Sequence, residues 1–217
     1  MAGKLIVIEG IDGSGKRTQS ELLEKHLNSV GQRAELVSFP RYEEQSSALV
    51  KMYLAGEFGA GPLDVGPYAA SAFYAVDRYA SYKSYWGGMY NSGAIIIADR
   101  YTTSNAVHQT CKLPRDEWDE YLHWLYDTEY NKMGIPAPDL VIFLSMPASI
   151  SRELMDGRVR QQDIHEADQE FMQASRNSAL YAAQHSGWSI IECAENGKLL
   201  TREEIHKKIA AEVDKIL

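Results

Sequence analysis

Residues 4–18, Lys-Leu-Ile-Val-Ile-Glu-Gly-Ile-Asp-Gly-Ser-Gly-Lys-Arg-Thr, constrain the fold more than any other stretch. Leu5 to Ile8 is a short apolar run with the β-branched content of a buried strand. It breaks into Gly10, Gly13 and Gly15, ends on Lys16, and gives way to a helix-forming run, Thr18 to Lys25. Glycines in that setting let successive backbone N–H groups turn inward on an anion, and the helix N-terminus adds partial positive charge. Strand, glycine loop, lysine and helix are the context a phosphate-binding loop requires, so the stretch predicts binding of a nucleoside triphosphate. The spacing Gly10-x4-Gly15-Lys16 matches the Walker pattern, but Arg17 stands where a Mg²⁺-ligating serine or threonine is usual. The metal would then rest on Thr18, on water, or mainly on carboxylates. A glycine-rich turn without a ligand is the competing reading, and the flanking strand and helix argue against it.

The rest of the pattern extends that unit into one α/β domain spanning 1–217. Apolar strands are expected at Ala34–Phe39, Ala94–Ala98, Leu140–Leu144 and Trp188–Cys193. Helices are expected at 16–29, 46–54, 67–86, 103–110, 116–132, 149–155 and 165–185, with Thr201 capping a last one. Five short strands alternating with helices imply a parallel sheet covered on both faces, with ligands outside the carboxyl ends of the strands. Gly10–Thr18, Phe39-Pro40-Arg41 and Asp99-Arg100-Tyr101 should therefore border one cleft.

Composition narrows the partners. With 217 residues, 45% of them hydrophobic, the chain can bury the core of one such domain. A formal charge of −8 argues against a general nucleic-acid surface, though arginines in a cleft still serve anionic small molecules. Cys111 and Cys193 show no metal or disulfide spacing, and no apolar run approaches a membrane span. With strand one at the N-terminus, no signal peptide is expected, and the reading is a soluble protein of a reducing, cytoplasmic compartment.

Several residues can carry chemistry. Asp12, inside the loop, could hold Mg²⁺ through water or meet an acceptor phosphate; a turn-forming aspartate is the alternative. Asp99 ends an apolar strand as a metal-organising carboxylate would, and Arg100 beside it suits a phosphate; a structural Asp–Arg pair competes. Arg41 emerges at the ligand edge of the sheet, where guanidinium recognises phosphate bidentately. Tyr74 and Arg78, four apart on a helix, share a face that could stack on a base and read its carbonyl edge. Tyr74 alone would read as a core aromatic. Ser104, Asn105, His108 and Gln109 cluster after Asp99-Arg100-Tyr101, and His108 alone would be a surface histidine. The run Asp156 to Asp163 reads as a flap whose Arg158 and Arg160 could meet charge developing in phosphoryl transfer, or as a solvated basic loop.

In this order, these segments resemble the thymidylate kinase family of P-loop enzymes, over essentially the whole chain. Glu9-Gly10-Ile11-Asp12-Gly13-Ser14-Gly15-Lys16 is similar to its phosphate loop, and Phe39-Pro40-Arg41-Tyr42 to the segment that grips the monophosphate. Pro67 through Arg78 resembles its thymine-binding helix. Asp99-Arg100-Tyr101 with Ser104 and Gln109 resembles its most distinctive short signature. Glu129-Tyr130 and Pro136-x-Pro138-Asp139-Leu140 resemble it too.

The resemblance implies a three-layer α/β/α sandwich with a five-stranded parallel sheet and a short mobile lid at roughly 152–166. It implies a homodimer that phosphorylates dTMP to dTDP with ATP and Mg²⁺, supplying dTTP. ATP phosphates would lie on Gly10, Gly13, Ser14, Gly15, Lys16, Arg17 and Thr18. dTMP would meet Asp12, Phe39, Arg41, Tyr74, Arg78, Arg100, Ser104, Asn105, His108 and Gln109, with Asp12 and Asp99 at the metal. Asp12, Lys16, Arg100, Arg158 and Arg160 would be catalytic. This chain departs from the family at Arg17, at His108 where a tyrosine is common, and at Ser145. It also carries Gly13 where one subtype keeps its catalytic arginine, which turns attention to Arg158, Arg160 and Arg17. The alternatives are another nucleoside monophosphate kinase acting on dUMP, UMP or GMP, and a nucleotide-binding protein without catalysis. No Asn-Lys-x-Asp base-reading motif supports a guanine switch.

Overall fold

β1 (Lys4–Glu9) is the central strand of the sheet, hydrogen-bonded on one side to β3 (Ile95–Asp99) and on the other to β4 (Leu140–Ser145). β2 (Ala34–Ser38) and β5 (Ser189–Glu192) close the edges, giving the order β2-β3-β1-β4-β5 with every pairing parallel. The computed structural model describes residues 2–147, 150–151, 169–195 and 198–217. The candidate lid at 152–166, with Arg158 and Arg160, and most of the helix expected at 149–155 lie outside them.

The continuous apolar character of β1 follows from its position. Leu5 and Val7 face one core layer with Ile96, Ala98, Val141 and Phe143. Ile6 and Ile8 face the other, where Ile97, Ile142 and Leu144 meet Leu23 and Leu27 of α1 (Lys16–Ser29) and Ile205 and Ile209 of α8 (Arg202–Val213). Both faces of the sheet are therefore dry, as the sequence implied. Thr201 caps α8 with a full capping box through Glu204.

α2 (Ala48–Leu54) and α3 (Pro67–Ser81) share a smaller apolar cluster around Tyr53 and Ala70, and on the first face lie α4 (Gly87–Asn91), α5 (Thr102–His108), α6 (Trp118–Tyr126) and α7 (Gln169–His185). Two helices expected as continuous change winding instead. The run from Pro67 passes into a π-helical turn at Tyr82–Trp86, and the run after Trp118 into another at Asp127–Lys132. Nothing in the spacing of their residues marks the change, so only the backbone reveals the extra residue in each turn. Shorter 3₁₀ turns sit at Gln45–Ser47, Thr110–Lys112 and Arg115–Glu117. A small hairpin, β6 (Ala194–Glu195) with β7 (Lys198–Leu199), was not expected.

Register aligns the functional ends. Asp99 pairs with Ile8 on one side and with Ser38 on the other. The glycine loop, the Phe39–Arg41 segment and Asp99-Arg100 thus leave the sheet at one level. Asp99 belongs to the strand itself, one residue later than expected, because its carbonyl accepts from the Phe39 N–H at 3.1 Å.

Candidate active site

The glycine loop is built around Lys16. Its Nζ donates to the carbonyls of Gly10 at 2.7 Å and Ile11 at 2.9 Å and lies 3.9 Å from Asp12 Oδ1. Burial, with a further contribution from Arg100, pushes the Lys16 ammonium down to about 8; Asp12, Glu9 and Asp99 pull the other way. Gly10 has no room for a side chain, since a Cβ would lie 2.5 Å from Ser14 Oγ and 3.1 Å from the Leu144 carbonyl. Gly15, at φ 86°, is left-handed with open space around it, so its constraint is conformational. Ser14 Oγ is buried without a hydrogen-bond partner, a donor suited to a bound phosphate. The Ser151 hydroxyl donates to the Asp12 carbonyl, tying the loop to the chain after β4.

Glu9, fully buried at the end of β1, links this loop to α5. One oxygen accepts from the Gly10 N–H at 2.9 Å, and the other from Thr103 Oγ1 at 2.8 Å and Ser104 Oγ at 2.7 Å. Ser104, expected at the substrate, is thus engaged with Glu9 while it also lines the cleft.

The cleft beside the loop is a cavity of about 700 Å³. Asp12, Arg41, Asp99 and Arg100 line it together with Tyr74, Arg78, Asn105 and Gln109. Phe39, Arg17 and His108 also border it. Arg100 holds a left-handed backbone, φ 69°, which a non-glycine residue adopts only at a cost of order 1–3 kcal/mol. That turn aims its guanidinium at Asp12, to which Nη2 donates, while Nη1 lies 3.2 Å from His108 Nε2. Arginine can only donate, so Nε2 accepts and the imidazole proton sits on Nδ1. Burial opposes the Arg100 charge, but Asp12, Glu9 and Asp99 more than offset it and hold the guanidinium protonated.

Tyr74 meets the ring of Tyr53 edge-on, centroids 6.4 Å apart. Arg78 is gripped by Glu129, Nε at 2.7 Å and Nη2 at 2.5 Å, both side chains about 1% exposed. Glu129 also accepts from Thr102 Oγ1 at 2.9 Å, and the Asn105 amide donates to the Ser71 carbonyl at 3.3 Å. Burial works against the Arg78 charge, but Glu129 outweighs it and raises the guanidinium further. Gln109 is buried, with its Oε1 unpaired.

Arg17 projects outward, 81% exposed, with its Nε 2.9 Å from Glu21. It offers a metal nothing. Oxygen donors that suit Mg²⁺ would come instead from Asp99 and Asp12, both on the wall of the cleft. The donor chemistry fits a hard cation, although no group of three or more His, Cys, Asp or Glu forms a ready metal cluster among the described residues.

The thymidylate kinase family model matches residues 8–209. The chain belongs to the thymidylate kinase family. Thymidylate kinase from Mycobacterium tuberculosis is 32% identical over 191 residues, 85% of this chain and 87% of that protein. The human thymidylate kinase is 30% identical over 144 residues, 66% of this chain and 61% of the human protein. A solved thymidylate kinase from Candida albicans superposes with a TM-score of 0.74 at 22% identity, covering 99% of this chain and 92% of that one, and supports the fold.

Four residues of this thymidylate kinase site carry no role in the motif reading: Glu9, Asp77, Tyr85 and Glu129. Glu9 and Asp77 are visible in hindsight as charges inside apolar or helical runs that the fold buries. Glu129 is marked only by the family-like pair Glu129-Tyr130, which names no partner, and Tyr85 gives no signal; a π turn places each of them.

Proposed function

We propose that this protein transfers the γ-phosphoryl group of ATP to the 5′-phosphate of dTMP, giving dTDP and ADP. The observation that carries this is the cavity beside the phosphate loop, lined by Arg41 and Arg100, by the Tyr74 ring and by the buried Arg78. Arg41 and Arg100 would hold the acceptor phosphate, and Tyr74 with Arg78 the base. Gly10, Gly13, Ser14, Gly15, Lys16 and Thr18 would hold the donor phosphates. Mg²⁺, held at Asp99 and Asp12, would neutralise charge on the donor phosphates. An acceptor phosphate oxygen attacks the γ-phosphorus, and the bond to the β–γ bridging oxygen breaks, leaving its electron pair on ADP. A dianionic phosphate is already nucleophilic, so alignment rather than a general base supplies most of the catalysis. Arg158 and Arg160 in the 152–166 segment are proposed to meet the charge that develops, with Arg17 a further candidate.

α3 presents Ala69, Ala72, Val76 and Tyr79 to solvent on one stripe, which supports a homodimer packed through this helix. Free Cys111 and Cys193 fit a reducing compartment such as the cytoplasm. No described helix is long and apolar enough to cross a membrane.

The test is ADP release with ATP·Mg²⁺ against dTMP, dUMP, UMP, dCMP and dGMP. Turnover concentrated on dTMP is expected, with Lys16→Met lowering it by about a hundred- to a thousandfold at unchanged fold. Equal turnover on UMP would instead support a broader monophosphate kinase, and an unaffected Lys16→Met would sink the assignment.

A further inference from the structure

The π turn at Tyr82–Trp86 is tightly specified. Its closing bond runs from the Gly87 N–H to the Tyr82 carbonyl, five residues back. A Cβ at Gly87 would stand 2.4 Å from that carbonyl oxygen and 2.9 Å from Cε2 of the Tyr82 ring, so only glycine fits unstrained. Trp86 is fully buried against Tyr82, Tyr90 and Tyr101 and anchors the turn. The extra residue rotates the side chains of the turn away from the α-helical direction, and Tyr85, 43% exposed, comes to the wall of the cleft.

There its ring lies under the guanidinium of Arg41, Cζ 4.5 Å from the centroid. The Tyr85 hydroxyl donates to Glu35 of β2, so the ring is braced at its far end. The main chain of Arg41 is fixed separately: its N–H donates to Asp77 Oδ2 at 2.8 Å, and Asp77 Oδ1 accepts from Ser46 Oγ at 2.6 Å. Arg41 Nη2 also lies 3.3 Å from Glu44. Stacking holds a guanidinium by its face and leaves the in-plane N–H groups to address an anion.

We infer that Tyr85 is a positioning residue of the acceptor site, a platform that presents the Arg41 guanidinium to the 5′-phosphate of the nucleoside monophosphate. The inference rests on the proposed reading of the cleft. Without the ring, Arg41 would regain rotamers that phosphate binding must then freeze out.

The test compares wild type, Tyr85→Ala, Tyr85→Phe, Arg41→Ala and the Tyr85→Ala/Arg41→Ala double variant in dTMP kinetics. Binding of thymidine, which lacks the phosphate, is measured alongside. Tyr85→Ala should raise the KM for dTMP by about fivefold, within the range of a partly exposed cation–π contact. The KM for ATP and the affinity for thymidine should not move. Tyr85→Phe keeps the ring and should stay within about twofold of wild type, and Tyr85→Ala should add nothing to Arg41→Ala. An unchanged KM for dTMP in Tyr85→Ala, or an equal loss for thymidine, would overturn the inference while the functional reading stands. A wild-type protein that does not phosphorylate dTMP would overturn both.

Discussion

Lys16 is a buried cation whose partners in the free protein are two carbonyls and one carboxylate at the edge of ion-pair distance. Because burial and Arg100 bring its pKa to about 8, from 10.5 in an exposed lysine, part of the population is neutral at mildly alkaline pH. Folding therefore releases a proton between about 8 and 10.5, and the contribution of Lys16 to stability improves as pH rises through that window. Binding runs the other way. Triphosphate oxygens favour the charged form and raise the pKa, so ATP binding above pH 8 must take up a proton, and affinity falls as pH climbs. Calorimetry at pH 8.5 in two buffers of different ionisation enthalpy should show net proton uptake by wild type and none by Lys16→Met. Identical enthalpies in the two buffers for wild type would refute this account of the loop. Lys16 and the three glycines are legible in the sequence because their contacts are local, closing within six residues. The setting of Arg78 is legible only in part. Its partner Glu129 lies 51 residues away, and no local pattern announces that pairing.

At the scale of elements, two helices each end in a π turn, and each turn places a side chain against an arginine of the cleft: Tyr85 on Arg41, Glu129 on Arg78. A helical period read from sequence sets the average direction of a face and does not register one added residue, so the strands and helices were legible and these placements were not. Gly87 is the one sequence mark of the first turn, and it makes the device testable. Gly87→Ala puts a methyl against a backbone carbonyl, which cannot swing aside as a flexible side chain could. The turn must rewind or shift, carrying Tyr85 off Arg41. The expected result is a raised KM for dTMP with the KM for ATP preserved, because the phosphate loop stands on a different element. A variant with wild-type KM values for both substrates would separate the π turn from the acceptor site.

At the scale of the whole molecule, α3 faces two ways. Its inner face carries Asp77, which accepts from the Arg41 N–H, and Arg78, which pairs with Glu129. Its outer face carries Ala69, Ala72, Val76 and Tyr79, with Val76 50% exposed. An apolar stripe on the helix that carries these cleft contacts loses solvent contact if two copies pack through it, and packing would brace the helix as well. Dimerisation and acceptor binding are then linked: whatever loosens the pair should loosen the cleft. Val76→Asp places a charge on the stripe without touching a residue of the cleft. Sedimentation equilibrium should give twice the chain mass for wild type and a single chain mass for Val76→Asp. The variant should also bind dTMP more weakly at micromolar protein, and the deficit should shrink as concentration rises. A wild type that sediments as one chain would show that α3 stands unaided, and the Glu129 and Asp77 contacts would then have to hold it alone.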